Sequence, residues 1–496
     1  MPDFDFDIII IGTGVGGLTC GASLAQRGLK VLLLEKNRKV GGCCTSFRRN
    51  GFTFDVSVQS IGECHRGGRI WRVLDRLGLL GKMQFIRLEP AREYYFPDRR
   101  IRQYSDLGSH IEHLSSQFPE ESRGIRGVYS VFAQLFKEMS EMPPSLDWFD
   151  TKAFRSRYPL YSRWKDKTLQ DLLDQFIADL KLKTILSVRS SYALMPPQWM
   201  SVVAMSSLEM SYFEGGVYSV KGSVETFPRL LMEKVIQLGG QVLTEQEATR
   251  ILVEGKKAFG IKTTNGVEYT GRIIVSNCDA TLTFCRLIDT KLLSPRFLSK
   301  LRGMKPSFSY YITYLGIEGP LGEELPCPNN EIFFDYDLLR EYEALSNNQL
   351  PSNPSFYLLA PSLVNPDHAG KGMNTLCLSL KVPYGYSTMW GDDVRKDLSH
   401  HLLDKASEMI PNLRDRIVVM TDSTPVTIER MTNNRWGSAY GWAQYPRQAG
   451  IYRLNRITPI EDLFLTGHWT SPGGGISAVV ASGEITADLI WGRLAQ

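Results

Sequence analysis

Four glycines and one acid carry the clearest chemistry in this sequence. Gly12-Thr13-Gly14-Val15-Gly16-Gly17 forms a single run, and Glu35 follows about 20 residues later, the spacing of a dinucleotide-binding fingerprint. Gly12 permits a tight turn, Gly14 leaves room for a pyrophosphate against the backbone, and Gly17 lets a following helix pack closely on the preceding strand. Val15 and Gly16 complete the loop. A helix starting there offers free N–H groups and about half a unit of positive charge to phosphates. Glu35 is suited to accept hydrogen bonds from ribose hydroxyls.

These residues need elements to hold them, and the sequence supplies them in order. Ile8-Ile9-Ile10-Ile11 is a β-branched run fit for a strand buried on both faces. Leu18, Ala22 and Ala25 mark a helix that ends near Gly28, and Val31-Leu32-Leu33-Leu34 is the next buried strand, with Glu35 at its end. A glycine motif alone is weak evidence, but Asp7 to Glu35 is a complete strand–helix–strand unit. Further on, Trp71 to Leu80 reads as an amphipathic helix with Arg72 and Arg76 on the wet face. Residues 90–215 read as helical stretches joined by Pro- and aromatic-rich connections. A helix over 227–238 precedes Gly239-Gly240 and strands from Val242 to Val275, with a hairpin turn at Asn265-Gly266. Tyr310 to Ile317 and Thr375 to Val382 are strand-like. Leu463 to Thr466 is a strand that leads through Gly467 to Gly475 into a last helix, Ile476 to Leu494.

The 496 residues exceed what one hydrophobic core serves, so two or more domains are expected. The chain is 43% hydrophobic and 22% charged, and its net charge of +4 is spread along the sequence, which does not suit nucleic-acid binding. No apolar stretch of about 20 residues suggests a transmembrane helix. Met1-Pro2-Asp3-Phe4-Asp5 does not begin like a signal peptide. The eight cysteines contain no Cys-x-x-Cys pair, so no metal site is expected, and reduced thiols in a cytoplasmic-type compartment are.

Glu35 leads into Lys36-Asn37-Arg38-Lys39-Val40-Gly41-Gly42, then Thr45-Ser46 and Gly51-Phe52-Thr53-Phe54-Asp55. This resembles the second fingerprint of the large flavoprotein family containing amine oxidases and phytoene desaturases. Leu465-Thr466-Gly467-His468-Trp469-Thr470-Ser471-Pro472-Gly473-Gly474-Gly475-Ile476 resembles that family's C-terminal flavin motif. The resemblance implies FAD. It places Lys36, Gly41, Gly42, Thr45, Ala248, Gly467, Gly474, Gly475 and Ile476 with the glycine loop and Glu35 as cofactor-binding residues. It also implies an α/β fold in which a Rossmann-type FAD-binding domain (glutathione reductase/amine oxidase-like) is interleaved with a mixed α+β substrate domain. The expected division is 1–85, 220–295 and 455–496 for FAD, and 86–219 with 296–454 for substrate.

Within the family the chain is most similar to the phytoene desaturase branch, and there to its carotenoid cis-trans isomerase and retinol saturase subgroup. The similarity includes Ile111 to Gly127, Tyr212 to Gly222, Val275-Ser276-Asn277-Cys278-Asp279, Thr424-Pro425, Glu429-Arg430 and Gly437 to Gly441. Two departures stand out. Gly215-Gly216 leads to Ser219-Val220-Lys221-Gly222-Ser223 rather than a Tyr-Pro-x-Gly-Gly turn, and Phe54-Asp55 is followed by Val56-Ser57 rather than x-Gly.

The resemblance implies an enzyme acting on a carotenoid-like or isoprenoid polyene, by desaturation, saturation or isomerisation. The alternatives are an amine oxidase-like enzyme on a small polar substrate, or a non-enzymatic prenyl-binding escort. A polyene needs an apolar, aromatic pocket. Tyr94-Tyr95-Phe96, Tyr212-Phe213 and Tyr310-Tyr311 are candidates to line it, against ordinary core packing. His468 is a candidate to polarise a flavin carbonyl or donate a proton, or else to orient its loop. Glu429-Arg430 is a candidate pair near the pocket, or a surface ion pair. Arg66, Arg69, Arg72 and Arg76 read as a solvated helix face. The stretch Trp148, Phe149, Phe154 and Trp164, with Arg155, Arg157 and Arg163, is a candidate for peripheral contact with a membrane surface.

Overall fold

A computed structural model of the chain describes residues 4–57, 60–143, 151–385 and 390–495. Its first sheet grows from the N-terminal strand–helix–strand unit. Strand Phe6–Ile11 pairs in parallel with Val31–Leu34 on one side and with Glu268–Ser276 on the other. Gln241–Leu243 and Leu463–Leu465 extend the parallel order at its two ends. Glu268–Ser276 serves twice. Its first half closes an antiparallel meander with Ala248–Glu254 and Lys257–Thr263, and its second half lies between parallel neighbours.

The side chains of Phe6–Ile11 alternate between two cores, as the period of a strand requires. Ile8 and Ile10 join Val31, Leu33, Ile273 and Val275 under helices Val15–Ala25, Thr226–Gln237 and Ile476–Leu494. Ile9 and Ile11 join Leu32, Leu34, Ile274 and Leu465 on the other face. Both faces are covered, so the strands are apolar throughout. The last helix spans Ile476–Leu494, the bounds read from sequence. Glycine permits its approach to the first helix: a Cβ on Gly483 would lie 2.5 Å from the Gly16 carbonyl oxygen.

The second sheet runs in the order Ile417–Ser423, Ser309–Glu318, Met373–Val382, Phe356–Leu359, Asn329–Ile332, Arg92–Phe96, Arg99–Gln103. It is antiparallel except where Asn329–Ile332 meets Arg92–Phe96. The hairpin 92–103 corrects the sequence reading, which placed only helices and connections there. One face of this sheet packs Leu315, Leu358 and Leu378 against Leu402, Leu403 and Ala406 of helix Asp392–Ser407. A helical layer, including Ser122–Ser140 and Val202–Phe213, buries its own core around Phe132, Leu172 and Val202. Among the described residues no helix is long and apolar enough to cross a membrane.

Candidate functional site

One cavity of about 1170 Å³ reaches both sheets and the helical layer. It is larger than the roughly 300–1,000 Å³ of an ordinary ligand pocket, so it has room for two ligands. Gly12, Gly14, Val15, Gly16, Glu35, Lys36, Gly41, Gly42, Thr45, Ala248, Gly467, Gly474, Gly475 and Ile476 all line it. Segments distant in sequence are thus brought to one wall. Gly17 is the exception. It stands behind the loop, where a Cβ would lie 2.3 Å from the Gly12 carbonyl oxygen, so its part is close packing rather than contact with a ligand.

Two helix N-termini open onto this wall. Helix Val15–Ala25 begins after Gly14 and helix Ile476–Leu494 after Gly475; neither has a side-chain cap or an acid in its first turn. Some other helices are capped, as by Thr168, Asp279 and Thr424, and some, such as Arg69–Arg76 and Asp392–Ser407, are not. Uncapped N-termini facing a cavity are anion sites. The cavity also holds polar atoms that wait for partners. Thr45 Oγ1, Gln246 Oε1 and Arg456 Nε are buried without a hydrogen bond on residues that line it. Buried polar atoms rarely stay unpaired. The donors, acceptors and glycine cradle fit a dinucleotide of the flavin type.

Glu35 is 6% exposed, and each of its carboxylate oxygens accepts hydrogen bonds. Oε2 accepts from Thr13 N (3.1 Å) and Thr13 Oγ1 (2.6 Å); Oε1 accepts from Asn37 N and Nδ2, both at 2.9 Å. The carboxylate therefore locks the glycine loop to the second strand as well as facing the cavity. Lys36 lines the cavity, but its ammonium donates to the Arg430 carbonyl and to Asn433 Oδ1 (2.7 Å), at the end of helix Pro425–Thr432. Glu429 accepts from Trp436 N (3.1 Å) and from the Tyr384 hydroxyl; among the described residues it forms no ion pair with Arg430, and neither residue lines the cavity.

Several site residues escaped the sequence reading. Asn277 fills the space between the two glycine motifs: a Cβ on Gly14 would meet its Nδ2 at 2.7 Å, and one on Gly467 its Oδ1 at 2.3 Å. The only signal was its place after a strand in the Val275 to Asp279 motif. Arg453 is buried and donates to the carbonyls of His468 (2.7 Å), Thr470 (2.7 Å) and Trp442 (3.1 Å), which pins the tail motif. Nothing near it in sequence announces that role.

His468 lines the cavity, with Nε2 3.4 Å from Asn434 Oδ1. Burial, and then the charge of Arg453, pushes its pKa down to about 3. The imidazole is neutral at neutral pH and serves as a hydrogen-bonding group rather than a charged proton donor. A histidine depressed on folding contributes stability that is present above its unfolded pKa of about 6.5 and lost as pH falls toward about 3. His468→Gln is therefore expected to flatten the pH dependence of stability over that window by one proton, relative to the parent chain. Urea melts at pH 4.5 and 7.5 check this; identical slopes in parent and variant would mean that His468 is already protonated in the folded state.

The far part of the cavity is mostly apolar, with Arg92 among the few polar residues on its wall. Phe136, Met139, Val203, Ala204 and Leu208 come from the helical layer, and Ile312, Tyr314, Tyr357 and Leu359 from the second sheet. The aromatic clusters divide according to the face of the strand or helix on which each ring lies. Tyr310 lines the cavity, whereas Tyr311 points to the opposite face, stacks on Trp390 and donates its hydroxyl to the Arg395 carbonyl at 2.8 Å. Tyr212 lines the cavity and Phe213 lies in the helical core. Tyr94 and Phe96 are core residues, and Tyr95 packs on the other side of their strand.

The expected membrane-contact stretch needs correction. Phe154 is 0% and Trp164 4% exposed, both in the helical core, because they lie on the inner faces of two short helices. Arg155, Arg157 and Arg163 are on the surface. Trp148 and Phe149 lie outside the described residues.

Known proteins place this architecture. Residues 10–77 match the family model of an NAD(P)-binding Rossmann-like domain. An all-trans-retinol 13,14-reductase of Danio rerio is 25% identical over 93% of this chain and 82% of its own length. A 4,4'-diapophytoene desaturase (4,4'-diaponeurosporene-forming) of Staphylococcus haemolyticus is 24% identical, covering 97% of this chain and 98% of that protein. Among solved structures, putrescine oxidase bound to putrescine superposes with a TM-score of 0.67 at 13% identity over 99% of both chains. That likeness gives the fold: a Rossmann-type α/β domain with a second, mixed α and β region, as the sequence led us to expect.

Proposed function

We propose that this chain, a homologue of the phytoene desaturase and retinol reductase enzymes, is an FAD-dependent oxidoreductase acting on a carotenoid-like or isoprenoid polyene. The observation that carries the reading is the continuity of the cavity. One end has two uncapped helix N-termini, Glu35 and unpartnered polar atoms, and the other is walled by methionine, leucine and tyrosine side chains. FAD supplies the two-electron chemistry that such a pocket lacks.

The chain's own part is to bind and orient. The N-termini at Gly14 and Gly475 would hold pyrophosphate and the ring end, Glu35 the ribose, and Thr45 and Gln246 further polar groups of the cofactor. Asn277 and Arg453 position the two glycine motifs. The apolar chamber excludes water and lays an extended chain against the cofactor end. A polar substrate such as an amine would find few partners in that chamber, which favours a polyene.

The protein is expected to purify yellow, with FAD released on denaturation, and to convert a polyene supplied in lipid to a product of altered saturation or geometry. With a single glycine fingerprint devoted to FAD, reduction by NADPH alone is expected to be slow. Colourless protein that takes up no FAD would refute the cofactor assignment, and rapid saturable reduction by NADPH would refute the second expectation. Product analysis over a panel of cis and trans polyenes tests the substrate class.

A further inference from the structure

Among the described residues, the cavity wall carries a charge with no ion-pair partner. Arg92, in strand Arg92–Phe96, is 4% exposed, and its Nε and Nη1 are buried without an acceptor. Two other cations are buried in this region and have carboxylates: Arg189 lies 3.3 Å from Glu209, and Lys381 lies 3.3 Å from Glu331 and 3.7 Å from Glu341. Among the described residues Arg92 forms no ion pair. Glu331 favours its charge from a distance, but its oxygens face Lys381 and Ser191 Oγ (3.2 Å).

The guanidinium is held by aromatic rings, 4.6 Å from the centre of Tyr192 and 5.5 Å from that of Tyr357. Behind it lies a small cavity of about 10 Å³ lined by Arg92, Arg189, Gln103, Tyr192 and Tyr212. That volume takes at most one water. Arg92, Tyr192 and Tyr212 also line the large cavity, so an acceptor for Arg92 larger than a water has to arrive from there.

We propose that Arg92 determines substrate specificity by binding a carboxylate at one end of an elongated apolar substrate. This rests on the reading that the large cavity takes such a substrate. A buried cation without an ion-pair partner is costly, and a charge-assisted hydrogen bond from the guanidinium to a carboxylate would offset that cost. A hydrocarbon end would leave the cost in place, so the site discriminates by end group rather than by chain.

The test measures binding, and so does not depend on turnover. The probes are trans-parinaric acid and its methyl ester, which share one conjugated chain, titrated by fluorescence against the holoprotein. The parent is expected to bind the acid at least about 10-fold more tightly than the ester, the lower bound for a charge-assisted hydrogen bond. Arg92→Gln is expected to erase that difference and leave ester binding unchanged, and Arg92→Lys to keep part of it. Circular dichroism and flavin content check that the variants are folded, and Arg92→Lys carries the test if Arg92→Gln is not. Equal binding of acid and ester by the parent, or equal weakening of both in the variant, would overturn the role of Arg92 while leaving the apolar cavity reading intact. Failure of the parent to bind either probe would overturn both.

Discussion

Glu35→Ala protein is expected to bind FAD about 10- to 150-fold more weakly than the parent. The range follows from the roughly 1.5–3 kcal/mol attributed to hydrogen bonds with a charged partner. Two effects add in the same direction. The variant removes the proposed acceptor for the ribose hydroxyls, and it releases Thr13 N, Thr13 Oγ1, Asn37 N and Asn37 Nδ2, all now bound to that carboxylate. Thr13 is fully buried, so its freed groups find no water. The glycine loop should then lose its fixed approach to the second strand. Glu35→Gln retains one acceptor oxygen and should lose less. Titration of apoprotein with FAD, followed by flavin fluorescence quenching, measures both. Unchanged affinity in Glu35→Ala would remove Glu35 from the cofactor site and show that the glycine loop keeps its shape without it.

The residues that could be read from sequence are those whose role is set by near neighbours. Phe6–Ile11 announces itself because a strand covered on both faces has no polar position to spare, and the glycine loop because turn, phosphate approach and helix packing each require glycine at a set spacing. The hairpin 92–103 was missed because Arg-Glu-Tyr-Tyr-Phe and Arg-Arg-Ile-Arg-Gln lack the apolar alternation of a half-buried strand. Glu93 is buried there with Arg102 at 2.7 Å, a pairing visible only once the two strands are side by side. Asn277, Arg453 and Arg92 share that character: each acts on segments far away in the chain. The adjacent aromatic pairs misled for a local reason. Neighbours on a strand point to opposite faces, so Tyr310 and Tyr311 cannot both line one cavity.

Phe154→Ser separates a membrane role from a core role for the stretch that follows the helix Ser122–Ser140. A membrane anchor would tolerate serine in solution and lose only its response to lipid. The ring instead meets Tyr158 at 5.3 Å and Tyr161 at 6.0 Å between centres, with no exposed surface. Removing a buried phenylalanine costs about 3–5 kcal/mol, and a serine hydroxyl left there adds the penalty of an unpaired polar group. That is a large part of the roughly 5–15 kcal/mol by which a folded protein is stable. The effect should reach the large cavity, because Tyr161 lines it and its hydroxyl accepts from Ile451 N at 2.9 Å. We therefore expect Phe154→Ser to lower the urea midpoint sharply and to yield little holoprotein. Charge reversal at Arg155, Arg157 and Arg163, which lie on the surface, should leave the unfolding free energy within about 0.5 kcal/mol of the parent for each site. If anionic liposomes bind the parent at low salt, those three arginines are then the residues whose reversal should abolish it. A Phe154→Ser protein as stable as the parent, with liposome binding alone reduced, would return the ring to the surface and restore the membrane role.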